Sequence, residues 1–455
     1  MSKSIMNSGS SGYIGVNALV MGLGLNGGGL ETAKFLLSRG AVVTVTDMKD
    51  EAALAGPVNE LKAFAAAHGC PPVRFVLGRH ETVDFERADM VLKNPGVRPD
   101  SPYLLAAKRV ETDMSLFLAE NPARLVAVTG SKGKSTTAAA LHYVLEKYHA
   151  ETGRGRAYLG GNITVSPLSF LDRLTPDDDV VLEMSSWQLG DLRGKTDAAG
   201  KALLGTVRVA VLTAIMPDHQ NWYHGMEPYV ADKRVIYQYQ NASGATVTLD
   251  DDWGKRFLAE TRARKISIAD APPELRSIVP CIPGGHNRQN LTLAGLALAE
   301  MGLPLPFIAA GLESFPGIEH RLEFCLEHNG VRYYNDSAAT IPEAAASALC
   351  ALPGSVLITG GTDKDLDFAP LAAVCNKARA LILLAGSGTD KLIPLLVQNG
   401  VAYQGPFDRL DDAVKAAIAA AAPGLSVLFS PGCTSFGMFT NEFDRGRQFK
   451  AVIKV

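Results

Sequence analysis

What the 455-residue chain has little of already narrows its class. Charge of one sign is missing: 44 Lys and Arg against 47 Asp and Glu leave a formal −3. That is too small to imply a polyanion partner or a membrane surface, so any anion must be held locally, by loops and single cations. Cysteine is sparse. Cys70, Cys281, Cys325, Cys350, Cys375 and Cys433 are scattered with no CxxC pair, and a chain of this size needs no disulfide staples. The pattern reads as reduced thiols, not a metal cluster. No apolar run approaches the roughly 20 residues of a membrane span. The polar start MSKSIMNSGSSG also lacks the apolar core of a signal peptide. These shortages predict a cytoplasmic protein with no nucleic-acid and no membrane partner.

What is present is an ordinary globular balance, 47% apolar and 20% charged, in a chain long enough for two or three domains. Apolar β-branched runs alternate with Ala/Leu-rich helical stretches from end to end, the α/β pattern of parallel sheets with crossover helices. Three glycine-punctuated strand-to-loop units each open a separate sheet. The first is Asn17 to Gly22, with a helix around Glu31 to Arg39 and a second strand from Ala41 to Asp47. The second is Leu125 to Thr129, running into Gly130-Ser-Lys-Gly-Lys-Ser135 and an alanine-rich helix through Leu145. The third follows a turn-rich passage, Phe315 to Arg321, with strands at Val331–Asn335, Ser355–Thr359, Ala380–Leu384 and Ser426–Ser430. Domain boundaries are expected near 118 and 315, giving segments 1–118, 119–314 and 315–455.

The strongest local signal is Val126-Ala-Val-Thr-Gly-Ser-Lys-Gly-Lys-Ser-Thr136. A phosphate loop needs glycines so that successive N–H groups curl inward, a lysine for the β/γ-phosphates and a hydroxyl for Mg²⁺. Gly130, Gly133, Lys134 and Ser135 supply these at a strand-to-helix junction, where the helix N-terminus favours anions. Valine at 128 departs from the strict glycine pattern. Mg²⁺ also wants a carboxylate, and Glu183, closing the run Asp179-Val-Val-Leu-Glu183, is placed for it. Asp218, His219 and His224 fall in one loop ahead of a helix bearing Lys233. Their spacing fits no zinc site, and on spacing alone they read as structural or surface residues.

Gly22-Leu-Gly24-Leu-Asn-Gly27, with Asp47 about twenty residues on, matches the dinucleotide fingerprint in its proper context. Taken alone it suggests a dinucleotide-dependent oxidoreductase. The same geometry holds any nucleotide diphosphate, however, and such an oxidoreductase has no task for a second phosphate loop. A non-catalytic ATP sensor is the other alternative. It would lack a metal or lysine residue, whereas Lys134, Glu183, His219 and Lys233 are all present.

Taken in order, GLGLNG at Gly22, NPG at Asn94, TGSKGKST at Thr129, GGN at Gly160, LEMSSWQL at Leu182, DH at Asp218 and ADKR around Lys233 resemble the Mur ligases. GGHNRQN at Gly284, HR at His320, NDSAAT at Asn335, GGTDKDLDF at Gly360 and SPGCTSFGMF at Ser430 extend the resemblance over the whole chain. It implies a Rossmann-like nucleotide-precursor domain, a central P-loop ATPase domain with a mostly parallel sheet, and a Rossmann-like amino-acid domain. The implied activity is ATP-dependent ligation of glutamate to UDP-N-acetylmuramoyl-L-alanine through an acyl phosphate, in a monomer using ATP and two Mg²⁺ ions. It also implies site residues. Gly24, Leu25, Asn26, Gly27 and Asp47 would hold the uridine diphosphate, with Asn94, Pro95, Gly96, Asn162, Ser185 and Gln188 around the rest of the precursor. Gly130, Ser131, Lys132, Gly133, Lys134, Ser135 and Thr136 would cradle ATP phosphates, and Asn287, Arg321 and Asp336 the rest of the nucleotide. Ser135, Glu183, His219 and a carbamylated Lys233 would serve the metal ions, and Thr340, Lys364, Ser435 and Phe436 the amino acid. Catalysis would fall to Lys134, Glu183, His219 and Lys233.

Two positions depart from the pattern of the D-glutamate-adding members. Ala338 stands where NDSKAT has lysine, and Glu442 where Phe or Tyr is usual. The resemblance puts both beside the incoming amino acid. D-glutamate is favoured, with L-glutamate as the alternative.

Overall fold

The computed structural model describes residues 12–24, 27–163, 165–435 and 437–454. Leu25, Asn26 and Phe436, named above as site candidates, lie outside the described residues.

Three separate sheets form, one for each glycine-punctuated unit. The first contains β1 (Asn17–Met21), β2 (Val42–Asp47), β3 (Arg74–Leu77), β4 (Met90–Lys93) and β5 (Val110–Glu111), in the order β3-β2-β1-β4-β5. The second contains β6 (Arg124–Thr129), β7 (Ala157–Gly161), β8 (Asp179–Glu183), β9 (Val207–Leu212), β10 (Ala245–Thr248) and β11 (Arg264–Ser267), in the order β11-β10-β9-β6-β8-β7. Every pairing in both is parallel. The third contains β12 (Glu323–His328), β13 (Val331–Asn335), β14 (Val356–Gly360), β15 (Ala380–Leu384), β16 (Gln404–Phe407) and β17 (Ser426–Phe429), in the order β12-β13-β17-β14-β15-β16. Only its β12–β13 pair is antiparallel.

Parallel strands covered by helices on both faces are apolar on both faces. Thus β8 is buried at all five positions and β6 at every position after Arg124. This is why these strands read as unbroken apolar runs. Charge survives only at their ends, where Asp179 and Glu183 bracket β8.

The chain divides into two compact units. One holds the described residues up to Ser277 together with Gln289–Ala309, and so contains the first two sheets. The other holds Ile278–Arg288 and Ala310 onward, and contains the third. All six cysteines are unpaired, with Cys375 and Cys433 buried. Among the described residues no helix is long and apolar enough to cross a membrane.

Candidate active site

In the first unit, β6 runs straight into the glycine loop and the helix Lys134–Thr152. Gly133 caps that helix at φ 93°, ψ −11°, a left-handed conformation that favours glycine. A β-carbon there would sit 2.9 Å from Asn290 Cγ and closer still to its Oδ1. Gly130 is likewise closed in by Thr213, whose carbonyl carbon would lie 3.1 Å from an added β-carbon. The first-turn N–H groups of the helix have no intrahelical partner and form an anion-binding end. The remaining loop groups maintain the loop's shape. Ser131 Oγ donates to the Met216 carbonyl at 2.9 Å and contacts the Tyr229 hydroxyl at 2.9 Å. Thr213 Oγ1 donates to the Lys132 carbonyl at 2.7 Å, and Lys134 Nζ to the Ser131 carbonyl at 3.2 Å. Ser135 and Thr136 are half-buried in the first helical turn, while Lys132 is exposed.

Around this loop the structure gathers charge taken out of water. Glu183 is 1% exposed. Its Oε1 accepts from Asn162 Nδ2 at 3.1 Å, while its Oε2 is buried with no partner among the described residues. A buried, half-satisfied carboxylate is costly, and a cation would complete it. Lys233, also 1% exposed, donates from Nζ to the Gly130 carbonyl at 2.8 Å and lies 4.5 Å from the Tyr229 ring centroid. Burial, then the like charge of Lys134, pushes its ammonium down to about 7 against the pull of Asp218, Asp232 and Glu183. Burial also lowers Lys134, with Glu183 and Asp218 opposing. His219, at φ 50°, stacks obliquely on Trp187 with centroids 4.6 Å apart. No group of three His, Cys, Asp or Glu side chains converges among the described residues. Glu183 and His219 are therefore joined in the expected metal set only by a hydroxyl, Ser135, and by Lys233.

A cavity of about 500 Å³ opens nearby in the same unit, between the loops of the first sheet and those of the second. Gly24, Asn94, Pro95, Gly96, Asn162 and Gln188 line it, and so do Trp187 of the LEMSSWQL run and, outside any motif, Lys49 and Asp113. Three of the sequence candidates also shape the backbone. Asp47 turns inward, its Oδ2 accepting from the Gly24 N–H at 3.1 Å and its Oδ1 from the Lys49 N–H at 2.9 Å. Gly27, at φ 84°, caps the helix Gly28–Ser38. Ser185 caps the helix Ser186–Asp191 in a reciprocal box with Gln188, so the Ser-x-x-Gln spacing is in part a helix start signal.

In the second unit, Asp336 follows β13 and is 5% exposed. It accepts from the Leu322 N–H at 3.0 Å and the Ser430 hydroxyl at 2.6 Å. Burial outweighs these bonds and the nearby Arg321 and Arg445, raising the carboxyl to about 6. Asn287 is buried and donates to the Pro283 carbonyl at 2.6 Å, while Arg321 is exposed. A cavity of about 290 Å³ opens at the C-terminal ends of β14, β15 and β17, walled by Gly361, Thr362, Thr434, Ser435 and Arg445. Thr340 and Lys364 are not in its wall. Lys364 is exposed on a loop held by Asp363, whose carboxylate takes the Leu366 N–H at 2.9 Å and pairs with Lys391. Those bonds hold the Asp363 carboxyl at about 2. Glu442 occupies the first turn of the helix Glu442–Val452, where an acid suits the helix dipole.

Sequence reasoning passed over Arg445. Its side chain is 1% exposed, and its guanidinium donates to Ser337 Oγ at 3.0 Å and to the carbonyls of Ser337, Cys433 and Thr434 at 2.7–3.1 Å. It binds the NDSAAT loop to the SPGCTS loop. Burial lowers it to about 10.

Residues 16–114 match the Mur ligase MurD-like N-terminal domain, and residues 128–274 the Mur ligase middle domain. The UDP-N-acetylmuramoylalanine–D-glutamate ligase of Treponema pallidum is 39% identical, over 97% of this chain and 98% of its own length. That of Borreliella afzelii is 39% identical over 96% and 97%. The chain belongs to the Mur ligase family. Among solved structures, MurF from Acinetobacter baumannii superposes with a TM-score of 0.56 at 16% identity, covering 92% of each chain. MurF from Thermotoga maritima, solved with ADP, gives 0.51 at 16% identity over 98% and 96%. At that identity the likeness concerns the fold alone, the three-domain architecture of the Mur ligases. Family membership sets aside the oxidoreductase alternative raised by the N-terminal glycine loop.

Proposed function

We propose that this Mur ligase joins D-glutamate to UDP-N-acetylmuramoyl-L-alanine, using ATP and Mg²⁺, in cytoplasmic cell-wall precursor synthesis. The domain division we adopt is 1–118 for the precursor, 119–314 for ATP and 315–455 for the amino acid. A single observation carries the reading: the glycine loop, Lys134, Glu183 and Lys233 meet beside the cavity that holds Asn94, Asn162 and Gln188. A phosphoryl donor and an acceptor carboxylate can thereby be brought to one place.

A carboxylate is a poor electrophile at neutral pH. In the proposed chemistry a precursor carboxylate oxygen attacks the γ-phosphorus and ADP leaves. The glutamate nitrogen then attacks the acyl carbon, and inorganic phosphate departs with its bonding electron pair. Lys134 stabilises charge on the transferred phosphoryl group. The glycine loop and first helical turn orient the phosphates. Ser135, Glu183, His219 and Lys233 would hold Mg²⁺, which when bound neutralises phosphate charge. The half-satisfied Glu183 carboxylate fits that role. Lys233 fits carbamylation, because burial brings it near neutrality, the form that adds to CO2, and a carbamate keeps an N–H for the Gly130 carbonyl.

The test is phosphate release in the presence of ATP, Mg²⁺, the muramoyl-alanine nucleotide and a panel of amino acids in both enantiomers. D-glutamate is expected to give the highest kcat/KM, and Lys134→Ala is expected to abolish release while precursor binding survives. Absence of turnover with every acidic amino acid would refute the reading. Preference for L-glutamate would refute the stereochemical part alone, and Ala338 and Glu442 would then be the positions to exchange.

A further inference from the structure

Beside residues that line the 500 Å³ cavity lies a buried ion pair that none of the motifs contains. Lys93 is the last residue of β4 in the first sheet, and Asp191 the last residue of the helix Ser186–Asp191 that follows β8 in the second. Lys93 Nζ and Asp191 Oδ2 are 2.7 Å apart, with side chains only 3% and 9% exposed. The same ammonium donates to the Val97 carbonyl at 2.9 Å. Lys93 thus closes the Asn94-Pro95-Gly96 turn upon itself and fastens it to the helix carrying Trp187 and Gln188.

The neighbouring contacts give this position its meaning. Asn94 Nδ2 donates to the Gly22 carbonyl at 2.9 Å, joining the NPG turn to the N-terminal glycine loop. At φ 92° a side chain on Gly22 would be strained, and its β-carbon would press on the Asn94 amide, 3.3 Å from Cγ and closer to the amide nitrogen. Three walls of the cavity, the glycine loop, the NPG turn and the helix Ser186–Asp191, are therefore linked in series. Asn94 makes the joint within the first sheet's lobe, and Lys93 makes the joint to the second. Close by, Lys195 pairs with Glu111 of β5 at 2.9 Å, and Glu111 also takes the Ser115 hydroxyl at 2.6 Å. Lys195 is 27% exposed on its side chain and is not part of the cavity wall.

We infer that Lys93 and Asp191 are a positioning pair that fixes the spacing of the nucleotide-precursor pocket across the two lobes. A buried pair is a doubtful source of stability, because desolvation offsets most of the Coulomb gain. Its geometric effect is better defined. Each charge accepts few other positions once buried, so the two backbones are held in one register. Asp191 bears the cost of burial, which outweighs the pull of Lys93 and raises its carboxyl to about 6, with Asp232 pushing the same way and Lys195 opposing. Its Oδ2 faces the Lys93 ammonium, which also donates to the Val97 carbonyl.

This inference rests on the proposed precursor site, so the experiment separates the two. Initial rates of phosphate release give kcat and the KM values for the muramoyl-alanine nucleotide and for ATP. They are measured in the wild type, Asp191→Asn, Lys93→Met and the double variant, with Tm followed by scanning fluorimetry. Each single change is expected to raise the precursor KM tenfold or more while the ATP KM stays within twofold. The double variant should be no worse than the worse single, because the second change removes a group already without its partner. A precursor KM within twofold of wild type in both single variants would overturn the positioning role. So would parallel loss of both KM values together with Tm, which marks a general folding defect. No precursor-dependent turnover in the wild type would instead overturn the functional reading, and this inference with it.

Discussion

Substituting Gly133 by alanine tests the phosphate loop as a shaped cradle, and the loop's geometry sets the size of the effect. The residue sits at φ 93°, ψ −11°, where a side chain costs about 1–2 kcal/mol. The new methyl would also press on the Asn290 amide, whose carbon is 2.9 Å away. Displacing a buried neighbour of this kind costs about 1–3 kcal/mol. The native loop is then disfavoured by about 3 kcal/mol, so the competent conformation falls roughly a hundredfold in population and apparent ATP affinity falls with it. Steady-state phosphate release should show the ATP KM up by about two orders of magnitude. The precursor KM should stay within twofold, since neither Gly133 nor Asn290 lines that cavity. Adding Asn290→Gly relieves the overlap but not the backbone strain, leaving a defect of roughly tenfold. An ATP KM within threefold of wild type in Gly133→Ala would refute the reasoning, as would a double variant no better than the single.

Three further outcomes follow from the geometry. Lys233→Ala should lose most of its rate and regain part of it with added short carboxylic acids, which can occupy the space of a carbamate. Full unassisted activity would remove Lys233 from the mechanism. Arg445→Met should destabilise the second unit by about 3 kcal/mol, because three carbonyls and a hydroxyl lose their buried donor. It should also raise the amino-acid KM, and an unchanged urea midpoint would contradict this. Asp336 carries a pH signature. Its folded carboxyl, at about 6, lies above the ordinary 3.8, so the fold binds that proton more tightly than the unfolded chain does. The contribution is complete below about pH 4 and is lost as pH rises through 6, a change of about 3 kcal/mol. Urea unfolding at several pH values should show this fall in the wild type but not in Asp336→Asn, and equal slopes would exclude Asp336 as its source.

The elements that local pattern specifies were legible in detail. Strands at Val331–Asn335, Ala380–Leu384 and Asp179–Glu183 stand where their apolar runs placed them. The glycine loop opens the helix Lys134–Thr152 because glycine alone tolerates the left-handed turn at 133. Roles set by where a side chain turns were less legible. Asp47 and Ser185 read in sequence as precursor contacts, and their oxygens also take backbone N–H groups that hold loop and helix ends in place. Lys364 belongs to a motif but stands exposed outside the 290 Å³ cavity. Arg445 carries no motif of its own. Its importance appears only when two loops about a hundred residues apart in sequence close on one guanidinium.

By itself the sequence determined the α/β class, the glycine turns, the order of the motifs and the family, because each depends on residues close together in the chain or on their succession. Tertiary structure alone decided which charges lose their water. Glu183 with an unpartnered oxygen, Lys233 brought to about 7 and the Lys93–Asp191 pair all arise from burial by distant segments. Desolvation depends on what the whole fold packs around a group, and no local stretch of residues encodes it.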